Sequence, residues 1–247
     1  MQTLPPWPDP RLVAHRGAGK LAPENTLAAI RVGVSFGYKM VEFDAKLSQD
    51  QVAILLHDAE LERTTNGRGR AADQPYAALA KLDAGLWFGT AFRGEPIPTL
   101  EAVALYTLSH NILSNIEIKP TPGLEVQTGT AIARQVKHDW RAAPVPPLLS
   151  SFSLAALEAA QREAPTLPRG WITTKLDENW RQSLTQLGCV SIHLHHLSLT
   201  EALLNDIHSG GFRVAAWTVN DPERAAELLR WGVDSVITDA LDLIDAE

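Results

Sequence analysis

The sequence predicts a (β/α)8 barrel (TIM barrel), and three observations carry that prediction. Short apolar runs alternate with stretches of helical character along the chain, the pattern of parallel βαβ units. Its 247 residues suit eight such units and one large core. The apparent surplus of strands, nine where a barrel takes eight, is removed by one hairpin.

Strands are expected at 12–15, 40–44, 52–57, 113–119, 148–152, 170–173, 190–194, 214–219 and 235–238. Helices are expected at 26–36, 100–108, 129–140, 154–163, 178–186, 200–209 and 222–231. Seven residues separate the second run from the third, too few for a crossover helix. These two runs must therefore form an antiparallel hairpin turning at Asp50-Gln51. A turn centred there makes partner numbers sum to 101 and sets Asp44 opposite His57. Over fifty residues then separate Asp58 from the fourth run, rich in Gly and Pro. A connection of that length reads as an inserted subdomain at about 58–98, within a single domain spanning 1–247. The apolar stretch 84–89 reads as that insertion's own small core, and the loop at 144–147 as a plain connection.

Composition excludes several classes of function. One cysteine, Cys189, makes neither a disulfide framework nor a Cys-based zinc site, and it reads as a packed core thiol. No stretch approaches the roughly 20 apolar residues of a membrane helix. Residues 1–10 show neither the basic nor the apolar region of a secretion signal, so a cytoplasmic location is expected. A net charge of -7 argues against a general nucleic-acid or anionic-membrane surface.

Ionisable residues gather at the carboxyl ends of the expected strands, where barrel enzymes build their sites. The first strand ends in His15-Arg16-Gly17, and the return strand of the hairpin in His57-Asp58. Glu42 and Asp44 lie two apart, hence on one face of the second strand, and Glu117 and Lys119 repeat that spacing. Charges on an apolar strand are costly unless compensated. Three carboxylates meeting at one mouth repel each other, and a hard divalent cation resolves the repulsion, with Mg2+ and Ca2+ both suited to oxygen ligands. Arg16 and Lys119 then point to an anionic substrate, since Arg takes phosphate oxygens in pairs. Each dipeptide alone could be a solvated face, an ion pair or a turn cap; four strand ends carrying such residues to one face outweigh those readings.

Trp217, at the end of the eighth strand, could pack against the carbons of a small substrate or serve as a core aromatic, and Phe152 leans to the core. His193, His195 and His196 look like a metal cluster but split between two strand faces, so they read as structural, with His195 able to line the mouth. Glu24 and Asn25 before Thr26 form a helix-start signature lying over the site.

The motifs Ala14-His-Arg-Gly17, Pro23-Glu-Asn-Thr26, Val41-Glu-Phe-Asp44 and Leu56-His-Asp58 occur in that order, followed by Leu61-Glu-Arg-Thr-Thr-Asn-Gly67. Ile97-Pro-Thr-Leu-Glu101, Asn115-Ile-Glu-Ile-Lys119, Ser151-Phe152, Trp217-Thr-Val-Asn220 and Gly232-Val-Asp-Ser-Val-Ile-Thr-Asp239 complete the set. Together they resemble the glycerophosphodiester phosphodiesterases, most closely the compact bacterial cytoplasmic type. The resemblance implies that Glu42, Asp44 and Glu117 hold one divalent cation and that His15 and His57 form an acid–base pair. It further implies that Arg16 and Lys119 hold the phosphodiester and that the substrate is a glycerophosphodiester, cleaved to sn-glycerol 3-phosphate and an alcohol. The attacking oxygen is a neighbouring glycerol hydroxyl or a water molecule. Gln51 stands where glycine commonly follows the turn Asp, and Ser235 where glycine is frequent. A metal-free cyclising phospholipase, a barrel that only binds glycerophosphodiesters and a lysophospholipase D are the competing readings. The carboxylate triad opposes the first, the intact histidine pair the second, and the lack of a basic amphipathic stretch the third.

Overall fold

The computed structural model describes residues 8–246; residues 1–7, which carry most of the stretch read above for targeting, lie outside the described residues. Nine strands form one sheet: β1 (Leu12–Ala14), β2 (Met40–Leu47), β3 (Ala53–Leu55), β4 (Leu113–Ile118), β5 (Leu148–Ser151), β6 (Arg169–Thr173), β7 (Ser191–His195), β8 (Arg213–Trp217) and β9 (Ser235–Thr238). The order β1-β9-β8-β7-β6-β5-β4-β2 closes through the parallel pairing Ala14↔Val41. Eight parallel strands thus make a closed barrel, and β3 pairs antiparallel on the edge of β2. Helices α1 (Leu27–Ser35), α3 (Leu100–Ser109), α4 (Glu125–Asp139), α5 (Leu154–Glu163), α6 (Trp180–Gln186), α7 (Glu201–Ser209) and α8 (Pro222–Trp231) follow the barrel strands, while the short α2 (Tyr76–Leu79) belongs to the long connection.

The helices begin where short polar side chains satisfy free backbone N–H groups. Thr26, Thr99, Ser153, Thr200 and Asp221 each accept a first-turn N–H at the starts of α1, α3, α5, α7 and α8. Helix α4 starts four residues earlier than the pattern predicts, at Glu125 rather than Gly129. The glycine is a packing residue there: a Cβ on Gly129 would lie 2.3 Å from the backbone oxygen of Ala156. Its bare backbone lets α4 lie directly against α5.

The hairpin register differs from the expected one by a single residue. Ala45 pairs with Leu55 and Leu47 with Ala53, so partners sum to 100 and Asp44 lies opposite Leu56, whose N–H it accepts at 3.1 Å. The loop has three residues, not two, and ends on Gln51 at φ 62, the left-handed position such loops require. The return strand also ends at Leu55, leaving His57 two residues beyond it in the loop at the mouth.

Apolar side chains fill both the shell between strands and helices and the lower barrel. Tyr38, Phe43 and Leu100 anchor one side of the shell, Ile192, Leu204 and Leu228 the other. Val13, Met40, Leu148, Ala215 and Ile237 plug the interior beneath the charged mouth. Between β3 and α3, Leu61, Leu79, Ala84 and Ile97 form a separate small cluster. Of the stretch 84–89, expected to be the insertion's own small core, Ala84 joins that cluster while Leu86 and Trp87 are 39% and 42% exposed.

Candidate active site

Strand β2 faces Glu42 and Asp44 inward, and its parallel register with β4 sets Asp44 beside Glu117. One carboxylate oxygen from each of the three lies within 4.8 Å of the others, and all three residues are buried. Asp44 is pushed toward its charged form. Burial works against its charge, but Lys119 and Arg16, aided by the Asn25 amide, hold its carboxyl well below the usual range. Burial and the Asp44 charge push both Glu42 and Glu117 upward. Three such groups cannot all ionise together without further positive charge. A buried, all-oxygen donor set under that strain fits a hard divalent cation.

Two histidines flank the carboxylates, and each is oriented the same way. His15 Nδ1 meets Asp239 Oδ1 at 2.6 Å, and His57 Nδ1 meets Asp58 Oδ1 at 2.7 Å. A carboxylate on Nδ1 fixes the proton there and leaves Nε2 as the working nitrogen. His15 Nε2 lies 3.8 Å from Glu42. Burial opposes the charged form of His15, yet the Asp239 bond and the Glu42 charge raise its pKa overall. For His57, burial together with the cations Arg16 and Lys119 outweighs Asp44 and lowers the pKa.

Arg16 is fixed by its own backbone as well as its side chain. At φ 50 it is one of four left-handed non-glycine residues among those described; its N–H donates to Glu42 Oε2 at 3.0 Å and its guanidinium to Glu24 at 2.8 Å. Glu24 in turn takes two bonds from Arg63, which also donates to Asp58. One chain of ion pairs therefore runs from Arg16 to His57. Lys119, one residue past β4, donates to Glu117 at 2.6 Å and lies 3.6 Å from Asp44.

A cavity of about 200 Å³ opens above these groups. Its walls include His15, His57, Arg16, Lys119, Glu42 and Glu117, with Trp217 and Phe152 as apolar panels. Trp217 is held by its Nε1 donating to the His193 carbonyl at 3.0 Å and meets Phe152 edge-on at 5.3 Å. Phe152 is 43% exposed with Lys119 5.2 Å above its ring, so it is a mouth residue and not the core aromatic its sequence context suggested. Of the His193–His196 stretch, His193 lines the cavity, whereas His195 meets Trp217 edge-on at 5.2 Å and is not among the lining residues. Among the described residues the carboxylate triad is the one group with metal-holding geometry.

Several supporting residues carry roles that the sequence reading does not assign them. Asn25 grips Asp44 twice, donating to Oδ2 at 2.8 Å and accepting its N–H at 2.9 Å, while neighbouring Thr26 merely caps α1. Asn220 clamps Asp239 through both amide atoms. A Cβ on Gly19 would fall 2.1 Å from the Asp239 backbone, so the loop after β1 can lie on the loop after β9 only with glycine there. Buried Lys46 donates to the carbonyls of His57 and Asp58 and pins the loop that presents them. Asn25, Asn220 and Asp239 all lie in motifs quoted above; Lys46 carries its signal only in being a lysine two residues after Asp44 on a buried strand.

Comparison with known proteins agrees in extent and in kind. The Glycerophosphoryl diester phosphodiesterase family model matches residues 15–243. A glycerophosphodiester phosphodiesterase of Caldanaerobacter subterraneus subsp. tengcongensis is 34% identical over 233 residues, 92% of this chain and 93% of that protein. The structure of an Oleispira antarctica phosphodiesterase in complex with the product sn-glycerol-3-phosphate superposes with a TM-score of 0.91 at 36% identity, covering 95% of each chain. A glycerophosphodiester phosphodiesterase from Agrobacterium tumefaciens gives a TM-score of 0.81 at 25% identity, over 96% of this chain and all of that one.

Proposed function

The chain belongs to the glycerophosphoryl diester phosphodiesterase family, a family of hydrolases, and we propose that it cleaves glycerophosphodiesters to sn-glycerol 3-phosphate and an alcohol with the help of one divalent cation. The observation that carries this reading is the meeting of three carboxylate oxygens within 4.8 Å between two histidines, each braced on Nδ1 by an acid. In the family's Oleispira antarctica member the bound product is sn-glycerol-3-phosphate, the compound this reaction releases.

Glu42, Asp44 and Glu117 hold the cation, Mg2+ or Ca2+, which supplies charge neutralisation and polarises substrate oxygens. Arg16 and Lys119, both on the cavity wall, hold the phosphodiester oxygens. Trp217 and Phe152 give the glycerol carbons an apolar face. A new P–O bond forms to the attacking oxygen, of a water molecule or of the neighbouring glycerol hydroxyl, as the P–O bond to the alcohol breaks; where the hydroxyl attacks, water then opens the cyclic phosphate to sn-glycerol 3-phosphate. One histidine Nε2 accepts the proton of the attacking oxygen, and the other donates a proton to the departing alkoxide. Asp239 and Asp58 keep both rings in the tautomer that this exchange needs. No helix among the described residues is long and apolar enough to cross a membrane.

The test is release of glycerol 3-phosphate from glycerophosphocholine by metal-stripped protein, with Mg2+, Mn2+ or Ca2+ restored. Recovery with a divalent ion is the expected result. Equal activity in stripped and refilled protein would remove the cation from the mechanism, and no activity under any condition would remove the substrate.

A further inference from the structure

A phosphodiester has two ester arms, and the cavity over the carboxylates accounts for one. A second cavity of about 400 Å³ adjoins it and shares His15 and Arg16. Those two residues thus stand at the boundary between the cavities, so a phosphorus held there extends one arm into each. The second cavity adds Lys20, Glu24 and Asp239, and two aromatic residues of the long connection, Trp87 and Phe88.

That aromatic wall is rigid. The indole of Trp87 donates to the carbonyl of Ala84 at 2.8 Å, which satisfies its one polar atom and leaves the ring faces free. Phe88 meets Trp87 edge-on at 5.7 Å and 89°, and rests in turn on Phe92 at 5.5 Å. The Asp83 carboxylate accepts the N–H groups of Gly85, Leu86 and Gly94, tying both ends of the loop to one side chain. Glu95 fastens the loop to the barrel by accepting the Ala28 N–H in the first turn of α1. An apolar surface fixed in the open beside an active site calls for an occupant. Four of the charged groups around it are already committed to each other, Arg16 to Glu24 and His15 to Asp239, with Lys20 beside them on the wall.

We infer that this second cavity receives the alcohol arm of the diester, and that Trp87 and Phe88 select alcohols ending in methylated, apolar groups over bare polar ones. The inference rests on the phosphodiesterase reading and names the leaving-group side of the same site. Two perpendicular ring planes form a corner into which a trimethylammonium group fits through its methyl surface, with the ring faces also favouring its diffuse charge. A bare ammonium prefers water and gains less.

Glycerophosphocholine and glycerophosphoethanolamine test this with charge held constant, since they differ by three methyl groups. Cation-loaded enzyme is expected to favour the choline diester by roughly tenfold in kcat/KM, the scale of a few apolar contacts in a pocket. Trp87→Ala is expected to collapse that ratio to about twofold or less, through a higher KM for the choline diester, and Trp87→Phe to restore most of it. No preference in the unaltered enzyme, or a Trp87→Ala loss that strikes both substrates alike, would overturn the inference while leaving the phosphodiesterase reading intact. Failure to hydrolyse either diester would overturn that reading, and the subsite with it.

Discussion

The part of the barrel built before residue 120 and the part built after it contribute different things to the same mouth. Strands β1, β2 and β4 and the loops after β1, β3 and β4 bring Glu42, Asp44, Glu117, Arg16, Lys119 and two of the cavity-lining histidines, His15 and His57. Strands β5 to β9 bring walls and braces: Phe152, His193, Trp217, Asn220 and Asp239. The backbone shows the same division. All four left-handed non-glycine residues described, Arg16, Asn25, Gln51 and Asn111, lie in the first part. Such positions cost on the order of 1–2 kcal/mol each and persist where other contacts enforce them. In the second part the described residues in the left-handed region are all glycines. The lesson is that the groups proposed to react are concentrated in one continuous half of the chain, while their orientation depends on the half that closes the barrel against it.

If the division holds, the largest losses come from the first part. His15→Ala and His57→Ala should each lower kcat by about 10²–10⁴-fold under saturating cation. Glu117→Gln should lower it by on the order of 10³-fold and weaken cation binding measured by calorimetry, the expectation for losing several kcal/mol of charge stabilisation. A Glu117→Gln protein with unaltered cation affinity would break the comparison at its centre.

Asp239→Asn probes the second part. It should cost roughly 10–100-fold in kcat with little change in KM, because it frees the His15 ring without removing it. The acid limb of the pH–rate profile should move as well, since the amide no longer favours protonated His15. An effect as large as that of His15→Ala would put Asp239 among the reacting groups and blur the division.

His193 offers a smaller contrast, in stability. Burial without a counter-charge lowers its pKa from 6.5 to about 4. The unfolded chain therefore takes up the proton first, and stability present above pH 6.5 drains away as pH falls toward 4. Between pH 7 and pH 5 the protein should lose about 2 kcal/mol more unfolding free energy than His193→Gln does, measured by denaturant titration. Equal pH slopes would mean that His193 is not held neutral.

The smallest effect separates strain that serves the site from strain that does not. Gln51→Gly should raise stability by about 0.5–1 kcal/mol, read as a higher Tm, and leave activity alone. Asn25→Gly relieves a similar backbone position at φ 59 but removes both bonds to Asp44, so it should lose activity.

Much of this was legible beforehand because it depends on local spacing. The alternation of runs gives the barrel, the seven-residue gap gives the hairpin, and charges two apart on a strand share its face whatever surrounds them. Where the reading missed, a neighbour in space decided. Gly129 looked like a helix boundary until α5 was seen to lie against it. The hairpin register turned on whether the loop held two residues or three, and no residue in Asp50-Gln51 distinguishes these. Phe152 looked like core because the neighbours that keep it at the mouth, Trp217 and Lys119, are far away in sequence.

By itself, then, the sequence determined the barrel, the end at which its charges gather and which carboxylates and histidines meet there, because strand periodicity and residue type act over a few residues. Tertiary structure alone decided that Asp239 braces His15 across 224 positions of sequence, that Lys46 pins the His57 loop, and that Trp87 and Phe88 stand beside the site rather than inside the insertion. Those facts depend on the closure of β9 onto β1 and the docking of a long connection on α1, contacts whose partners no local pattern specifies.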